Sequence, residues 1–386
     1  MATECYRIEI LSPLHIGSGD EYGVFDGAYQ NGRWYLIDIE KVLQRSREDP
    51  TNLANAMMAR DFNWADWLQR HNNITPQEVA VRSVACHQNP AQTKIRAYIR
   101  DPFGRPYIPG STLKGAIRTA ILEWLVLGLD INERKKLAEK AVRRDEHGKL
   151  PSREWVGREV LERKLLIGRC RGGNESNYDL LRALHVADSE PLAPEQVEIG
   201  LAWVYTLSGN RLVQKRAGNE EYKMLLEWLP TGIQTRLTIT LDKGLLQGHA
   251  KADLGFRNEQ VDAMRQFKDA CNERADSLIE SERRFYEKYE LDTIARFYQE
   301  LQNRLSQIEA QGGFMLNIGW GGGWETKTVT NPLTEDLDKE FERICQIYRL
   351  GKQNADVFPK TRRVAFRNNQ PYAPLGWVAL IPESQS

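Results

Sequence analysis

The stretch that decides the fold is YIPGSTLKGAIRTAIL, residues 107–122. Ser111 follows a Pro-Gly pair and is predicted to cap a helix, because apolar residues then recur at helical spacing. These apolar residues are Leu113, Ala116, Ile117, Ala120, Ile121 and Trp124. They predict a helix with one apolar face turned to the core.

The first turns of this helix carry Lys114 and Arg118, although that end of the helix dipole is positive and favours acids. Unpaired backbone N–H groups at a helix N-terminus bind phosphate, and adjacent cations strengthen such a site. Lys114, Gly115 and Arg118 share the arc opposite the apolar residues, and Gly115 permits close approach of another backbone. We therefore interpret residues 111–118 as a phosphate-binding segment. A solvated helix face is the alternative.

The length and the net charge of the chain exclude few fold or function classes by themselves. A chain of 386 residues can form one large domain with insertions or two domains, and Lys+Arg balance Asp+Glu at 53 each. The charge is unevenly distributed, since residues 134–171 contain 13 Lys/Arg against 6 Asp/Glu. Residues 269–309 contain 10 acids against 6 bases. A neutral chain with a basic middle can still present a face that binds a polyanion.

The cysteines indicate a reducing compartment. They are scattered without a CxxC pair, which favours free thiols and argues against a zinc site or a disulfide scaffold. The five are Cys5, Cys86, Cys170, Cys271 and Cys345. The N-terminus has no charged, hydrophobic signal segment, and no apolar run approaches the roughly 20 residues of a membrane span. We expect a cytoplasmic protein without a metal or another cofactor.

A second basic segment, KIRAYIR, alternates in the manner of a strand. Lys94, Arg96, Tyr98 and Arg100 would share one face. Cations interleaved with an aromatic ring suit phosphate contact together with base stacking, which is how single-stranded RNA is held. An ordinary exposed strand face is the alternative.

The segment GWGGGW, residues 319–324, places three consecutive glycines between tryptophans. Gly321, Gly322 and Gly323 remove side chains where another backbone could come close, and Lys327 follows. The segment lacks the strand–GxGxxG–helix context of a dinucleotide site. Near the N-terminus, His15 stands beside a Gly-Ser-Gly loop as a possible general base, but an isolated histidine at a strand end is more often structural.

The order of predicted elements favours an α+β fold, a small core expanded by helical insertions. We predict a core segment with a helical insertion at 1–129, a basic helical insertion at 130–190 and core strands at 191–256, with one helix near 220–229. A charged helical insertion follows at 257–310. A glycine-rich loop and the last core strands occupy 311–386.

Several motifs together resemble the RAMP superfamily of CRISPR-associated proteins. They are LSPLHIGSG at 11–19, RPYIPGSTLKGAIRTAIL at 105–122, ALHVADSEPL at 183–192, the glycine-rich segment and the ending FPKTRR…PLGWVAL. The chain is most similar to the large RAMP subunit of type III-A (Csm) effector complexes, which caps the complex at the 3′ end of the guide RNA. The resemblance spans most of the chain but leaves residues 130–170 and 257–310 unplaced.

The resemblance implies a ferredoxin-like (RRM-like) core with a β-thumb and large helical insertions. It also implies binding of guide RNA (crRNA) and target RNA, contacts with the backbone RAMP subunit and the small helical subunit, and a role in guide maturation through host nucleases. Besides the residues above, we assign RNA contacts to Lys360 and Arg362 in the C-terminal motif. Related backbone subunits cleave target RNA with an acid in an early loop. Asp26 is the nearest equivalent, but YGVFDGAY does not permit that transfer.

The functional hypothesis from the sequence is therefore a non-catalytic RNA-binding scaffold. The alternative is a metal-independent RAMP endoribonuclease that processes guide precursors, with His15 as general acid/base and Lys114 stabilising charge at the scissile phosphate. A third possibility is a helical adaptor that binds protein partners and contacts no RNA.

Overall fold

The computed structural model describes residues 2–71, 73–90, 93–169, 174–218, 220–329, 337–351 and 357–383. Cys170 lies outside the described residues. The strands are β1 Ala2–Ile10, β2 Gly17–Tyr22, β3 Gly27–Gln30, β4 Arg33–Ile37, β5 Ala80–Cys86, β6 Ile95–Tyr98, β7 Leu184–Val186, β8 Glu198–Ser208, β9 Arg211–Gln214, β10 Arg216–Ala217, β11 Glu220–Glu221, β12 Lys223–Trp228, β13 Gln234–Leu241, β14 Phe314–Asn317, β15 Thr361–Arg367, β16 Gln370–Ala373 and β17 Trp377–Pro382.

The helices are α1 Ile39–Ser46, α2 Pro50–Met57, α3 Trp64–Arg70, α4 Pro76–Val79, α5 Gly110–Leu127, α6 Ile131–Ala141, α7 Arg153–Trp155, α8 Arg163–Leu165, α9 Gly248–Leu254, α10 Asn258–Arg265, α11 Phe267–Lys288, α12 Asp292–Ala310 and α13 Asp338–Tyr348. The π-helical segment Val156–Glu162 joins α7 to α8. None of the described helices is both long and apolar enough to cross a membrane.

A five-stranded antiparallel sheet forms the centre of the fold, in the order β14-β17-β1-β13-β7. Strands β17-β1-β13-β7 reproduce the ferredoxin-like order, with β14 added beyond β17. Helix α5 lies between β1 and β7 in the chain, and α11 and α12 lie between β13 and β14. The predicted α+β class with a ferredoxin-like core is confirmed.

A second sheet of ten strands is built around β8, which pairs with β12 and β9 and also with β5 and β15. The sheet is curled, so that β5 and β2 come close although they do not pair. Arg82 Nη2 of β5 donates a hydrogen bond to the Tyr22 hydroxyl of β2 at 2.8 Å. The helix predicted near 220–229 is wrong, because Lys223–Trp228 is strand β12. Leu225 and Leu226 of β12 are buried on opposite faces, so the strand shows no apolar–polar alternation.

Two ranges predicted as helical insertions contain elements of the core. Strand β7, within 130–190, is the edge strand of the central sheet. Helices α11 and α12, within 257–310, bury Ile279 and Ile294 completely in the main core. Helices α1 to α4, by contrast, do not belong to the main core. They pack with β3 and β4 around a separate small core that includes Val42 and Leu68.

Helix α5 begins two residues earlier than predicted, with Pro109 rather than Ser111 at the N-cap position, and is capped by a distant residue. The backbone N–H of Gly110 donates to the Asp188 carboxylate at 2.7 Å, whereas Ser111 is exposed inside the first turn. A Cβ on Gly110 would lie 2.2 Å from the Val186 carbonyl oxygen, so only glycine permits β7 to pass this close. The prediction of Ser111 as N-cap is therefore wrong. The acid that caps helix α5 is Asp188, which belongs to the ALHVADSEPL motif.

We expect Asp188→Ala to lower the free energy of unfolding by about 1 kcal/mol, the usual cost of losing a helix cap. Ser111→Ala is the matched control and should cause no loss, because its hydroxyl does not cap the helix. Urea unfolding of both variants measures the difference. A larger loss for Ser111→Ala than for Asp188→Ala would contradict the capping geometry.

Candidate nucleic-acid interface

Trp320, in the loop after β14, lies between two arginines from different strands. The Cζ atoms of Arg96 on β6 and Arg363 on β15 are 5.5 and 5.0 Å from its ring centroid. The Trp320 backbone N–H donates to the His15 carbonyl oxygen at 2.8 Å, which fixes the loop against the end of the LSPLHIGSG motif. We call Arg96, Trp320, Arg363 and Lys327 the basic cluster.

The basic cluster has few internal counter-charges. Burial and the neighbouring Arg96 lower the pKa of Arg363, and partial burial and Arg363 lower the pKa of Lys327. Neither Arg363 nor Lys327 forms an ion pair with a residue that the structure describes, and only Arg96 has a nearby acid, Glu21 at 3.5 Å. Like charges held together beside an aromatic ring suit an anionic ligand with flat apolar groups.

The other residues predicted on the same face of the KIRAYIR segment as Arg96 are mostly unavailable to RNA. Tyr98 is only 1% exposed and cannot stack on a base. Arg100 is buried beside Glu227, 3.4 Å from its carboxylate, and Lys94 is exposed but pairs with Glu21 at 3.3 Å. The structure therefore corrects the assignments of Tyr98 and Arg100, and leaves Arg96 and Lys94 as surface cations.

Strand β15 turns its two arginines to opposite sides. The Arg362 side chain is 8% exposed, and its Nε lies 2.8 Å from each Glu282 carboxylate oxygen on α11. Arg363, one residue later, faces Trp320. The burial of Arg362 against Glu282 contradicts its predicted contact with RNA, and Arg363 is the arginine of this strand that lies in the basic cluster. Lys360 lies just before β15 and is partly exposed, and no described contact joins it to Trp320.

Close packing within the protein accounts for two of the three consecutive glycines of the GWGGGW loop. A Cβ on Gly321 would lie 2.5 Å from a Leu375 side-chain carbon, and one on Gly322 would lie 2.2 Å from Asn317 Oδ1. Only Gly323 of the three leaves open space at this position. The predicted close approach of another backbone therefore has space at Gly323 but not at Gly321 or Gly322.

The positive charge in the first turns of α5 is partly neutralised. Arg118 donates to Glu162 and Asp179, each at 2.8 Å, so it is not the free cation that the sequence predicted. Burial lowers the pKa of Lys114, and Ser111 and Gly115 remain exposed. A Cβ on Gly115 would meet nothing within 4 Å, which leaves this surface open.

A buried ion-pair network lies beneath the basic cluster. Arg274 of α11 pairs with Glu123 of α5 and donates to the carbonyl oxygens of Glu325 and Thr328, at 2.7 and 3.0 Å. Because both carbonyls flank Lys327, Arg274 holds the backbone that carries it. One Glu325 oxygen is buried without a hydrogen-bond partner, and burial together with Glu282 raises the pKa of Glu325 to about 8.

His15 and Asp26 have structural surroundings. His15 is 2% exposed, its Nδ1 donates to the Glu227 carbonyl oxygen at 2.6 Å, and burial lowers its pKa. The Asp26 carboxylate accepts the Gly23 backbone N–H at 2.6 Å and so closes a turn. Among the described residues, no group of three or more His, Cys, Asp or Glu side chains could hold a metal ion.

Arg363 and Trp320 are the functional candidates that sequence reasoning missed. Trp320 lies in the GWGGGW segment, where the run of glycines, and not the tryptophan, indicates a function. The signal for Arg363 was weak, because Val364, Ala365 and Phe366 are all apolar and show no alternation that would tell which arginine faces the core.

We expect the free energy of unfolding to fall as pH rises from about 5 to 8. Glu325, whose folded-state pKa is raised to about 8, keeps a proton there that the unfolded chain has already lost. Glu325→Gln cannot titrate and should flatten this fall, which urea unfolding at several pH values would measure. An unchanged pH dependence in Glu325→Gln would contradict the raised pKa.

Two curated relatives that match most of this chain carry the same name. The CRISPR system Cms protein Csm5 of Streptococcus thermophilus is 24% identical over 350 residues, which cover 86% of this chain and 82% of that protein. The protein of the same name from Methanocaldococcus jannaschii is 21% identical over 405 residues, which cover 97% of this chain and 88% of that protein.

Two solved structures share the fold. A chain of the Csm-crRNA-target RNA ternary complex in a type III-A CRISPR-Cas system has a TM-score of 0.71 at 23% identity, with 99% of this chain and 100% of that chain covered. The crystal structure of T. onnurineus Csm5 has a TM-score of 0.68 at 22% identity, with coverage of 96% and 99%. The family model described as RAMP superfamily matches residues 7–326, and the chain therefore belongs to the RAMP superfamily.

Proposed function

We propose that this chain is a non-catalytic, guide-RNA-binding capping subunit of a type III-A CRISPR (Csm) ribonucleoprotein. It binds the 3′ part of the crRNA and supports guide maturation and complex assembly in antiviral defence in the cytoplasm. The observation that carries the proposal is the basic cluster, in which Arg363 and Lys327 lie near each other without an ion-pair partner among the described residues.

The chemistry of the basic cluster matches a single RNA strand. Phosphates would lie against Arg96, Arg363 and Lys327, where each removes like-charge repulsion. The side chains offer charge and an aromatic ring, and such contacts favour no particular base. Ser111, Lys114 and Gly115, on the open surface of α5, would extend the contact with the strand.

The relatives support the choice of complex. Two of them are named Csm5, and one structure of the same fold belongs to a complex with crRNA and target RNA. The proposed partners are therefore crRNA, target RNA, the backbone RAMP subunit and the small helical subunit. Recruitment of host nucleases follows from the same role.

The surroundings of His15 support a non-catalytic role over the endoribonuclease alternative. The ring is buried, one nitrogen is committed to the Glu227 carbonyl oxygen, and a lowered pKa keeps it neutral. A general acid/base needs to reach the proton that it transfers. His15 therefore acts in the packing of the loop below Trp320.

We expect the wild-type chain to bind single-stranded RNA with marked salt dependence, and Arg363→Gln to weaken binding. Loss of one phosphate contact should reduce the log–log salt slope by about 0.7. Thermal stability should be unchanged or slightly raised, because the substitution removes repulsion from Lys327 and Arg96 and breaks no described ion pair. Filter binding across a salt series measures the affinity and its slope.

The matched control is Arg211→Gln, which makes the same charge change on β9, where Arg211 is exposed and pairs with Glu290. It should bind RNA like the wild type. Equal effects of the two substitutions, or RNA affinity that does not depend on salt, would remove the basis for the proposed interface.

We expect repeat RNA to stay intact in EDTA with wild-type protein and with His15→Ala alike. The substitution should cost about 1–3 kcal/mol of stability, because it empties a buried site and leaves the Glu227 carbonyl oxygen unpaired. Gel analysis of the RNA and urea unfolding test both parts. Cleavage by the wild type that disappears in His15→Ala would establish the nuclease alternative.

A further inference from the structure

An apolar cavity of about 300 Å³, open to the surface, lies next to the basic cluster and is bordered by α5, α6, the π-helical segment and α13. Its walls are mostly aliphatic and aromatic side chains. They include Leu122, Val126, Leu137, Val160, Phe341 and Ile344. Lys327 and Trp324 line the same cavity, so it adjoins the end of the glycine-rich loop. The size is that of a small-ligand pocket.

The cavity is held open by fixed contacts between its walls. The Tyr348 hydroxyl lies 2.6 Å from the Ala141 carbonyl oxygen, and Arg153 Nη2 donates to the Tyr348 carbonyl oxygen at 2.8 Å. These bonds join α13 to α6 and to the start of the helix that carries the π-helical segment. Gly157 lines the cavity on that segment, and a Cβ there would meet nothing within 4 Å. π-Helical turns inside helices often occur at functional sites.

The charged groups around the cavity are mainly basic. Arg153 and Lys327 belong to its lining. Glu162 also lines it, but Arg118 pairs with this carboxylate at 2.8 Å and neutralises it. An occupant with an apolar flat part and an adjoining negative charge therefore complements the cavity and its charged lining.

We propose that this cavity takes a nucleobase of the RNA strand whose phosphates lie on the basic cluster. The inference rests on the proposed function, because Lys327 belongs both to the cluster and to the cavity lining. The strand would continue past Lys327 and turn one base into the cavity. The walls offer few hydrogen-bonding groups, so any base is accepted through its apolar face.

A substitution that fills the cavity without touching the cluster tests the proposal. Gly157→Leu places a side chain in the open space, whereas Gly157→Ala is the matched control with the same helical backbone and only a methyl group. We expect Gly157→Leu to bind a single-stranded RNA about tenfold more weakly, as for one lost stacked base. Its salt slope should stay as in the wild type, because no phosphate contact is removed.

A strand of the same length without bases separates base insertion from other causes. Wild type and Gly157→Leu should bind this abasic strand equally. Equal binding of ordinary RNA by both proteins would overturn the proposal and favour an acidic protein segment as occupant. An equal loss on both strands by a folded variant would also overturn it, since the cavity would then affect binding without taking a base.

If Gly157→Leu does not fold, Ile344→Trp fills the same cavity from α13 and carries the same expectations. If the wild-type chain binds no RNA, the proposed function fails and this inference with it. RNA binding that is retained in Gly157→Leu refutes the base site alone.

Discussion

The contact between Gly110 and the end of β7 is the constraint on which the rest of the structure depends. Val186 passes so close that only a residue without Cβ fits at position 110, and Asp188 then caps the helix. This fixes where α5 crosses the central sheet. Helix α5 in turn carries Glu123, which pairs with Arg274, and Arg274 holds the backbone on both sides of Lys327. The motifs around 107–122 and 183–192 are thus one structural unit.

Charge is sorted between the inside and the outside of the fold. Beneath the glycine-rich loop, Glu123, Glu282 and Glu325 meet Arg274 and Arg362, so the acids slightly exceed the bases. On the other side of β15, cations lie around Trp320, and Glu21 is the one acid among the described residues that pairs with them. Adjacent arginines on one strand serve these opposite purposes, since alternate residues of a strand face opposite sides.

The apolar face of α5 and the α+β class could be predicted because both depend on local periodicity. Leu113, Ile117 and Ala120 are buried as the helical spacing requires. The helix cap could not be predicted in this way, since Asp188 is 78 residues from Gly110 in the chain. Strand β12 was mistaken for a helix because burial on both faces removes alternation. Arg363 was missed for a similar reason, because the strand around it has apolar residues on both faces.

The most direct test of an RNA interface at the basic cluster is photo-crosslinking of 4-thiouridine RNA to the full chain, followed by peptide mass spectrometry. Crosslinks should concentrate in residues 318–329, which include Trp320 and Lys327, and in Thr361–Arg367, which includes Arg363. Crosslinks confined to other surfaces, such as strand β9 at Arg211–Gln214, would contradict an RNA interface centred on Trp320.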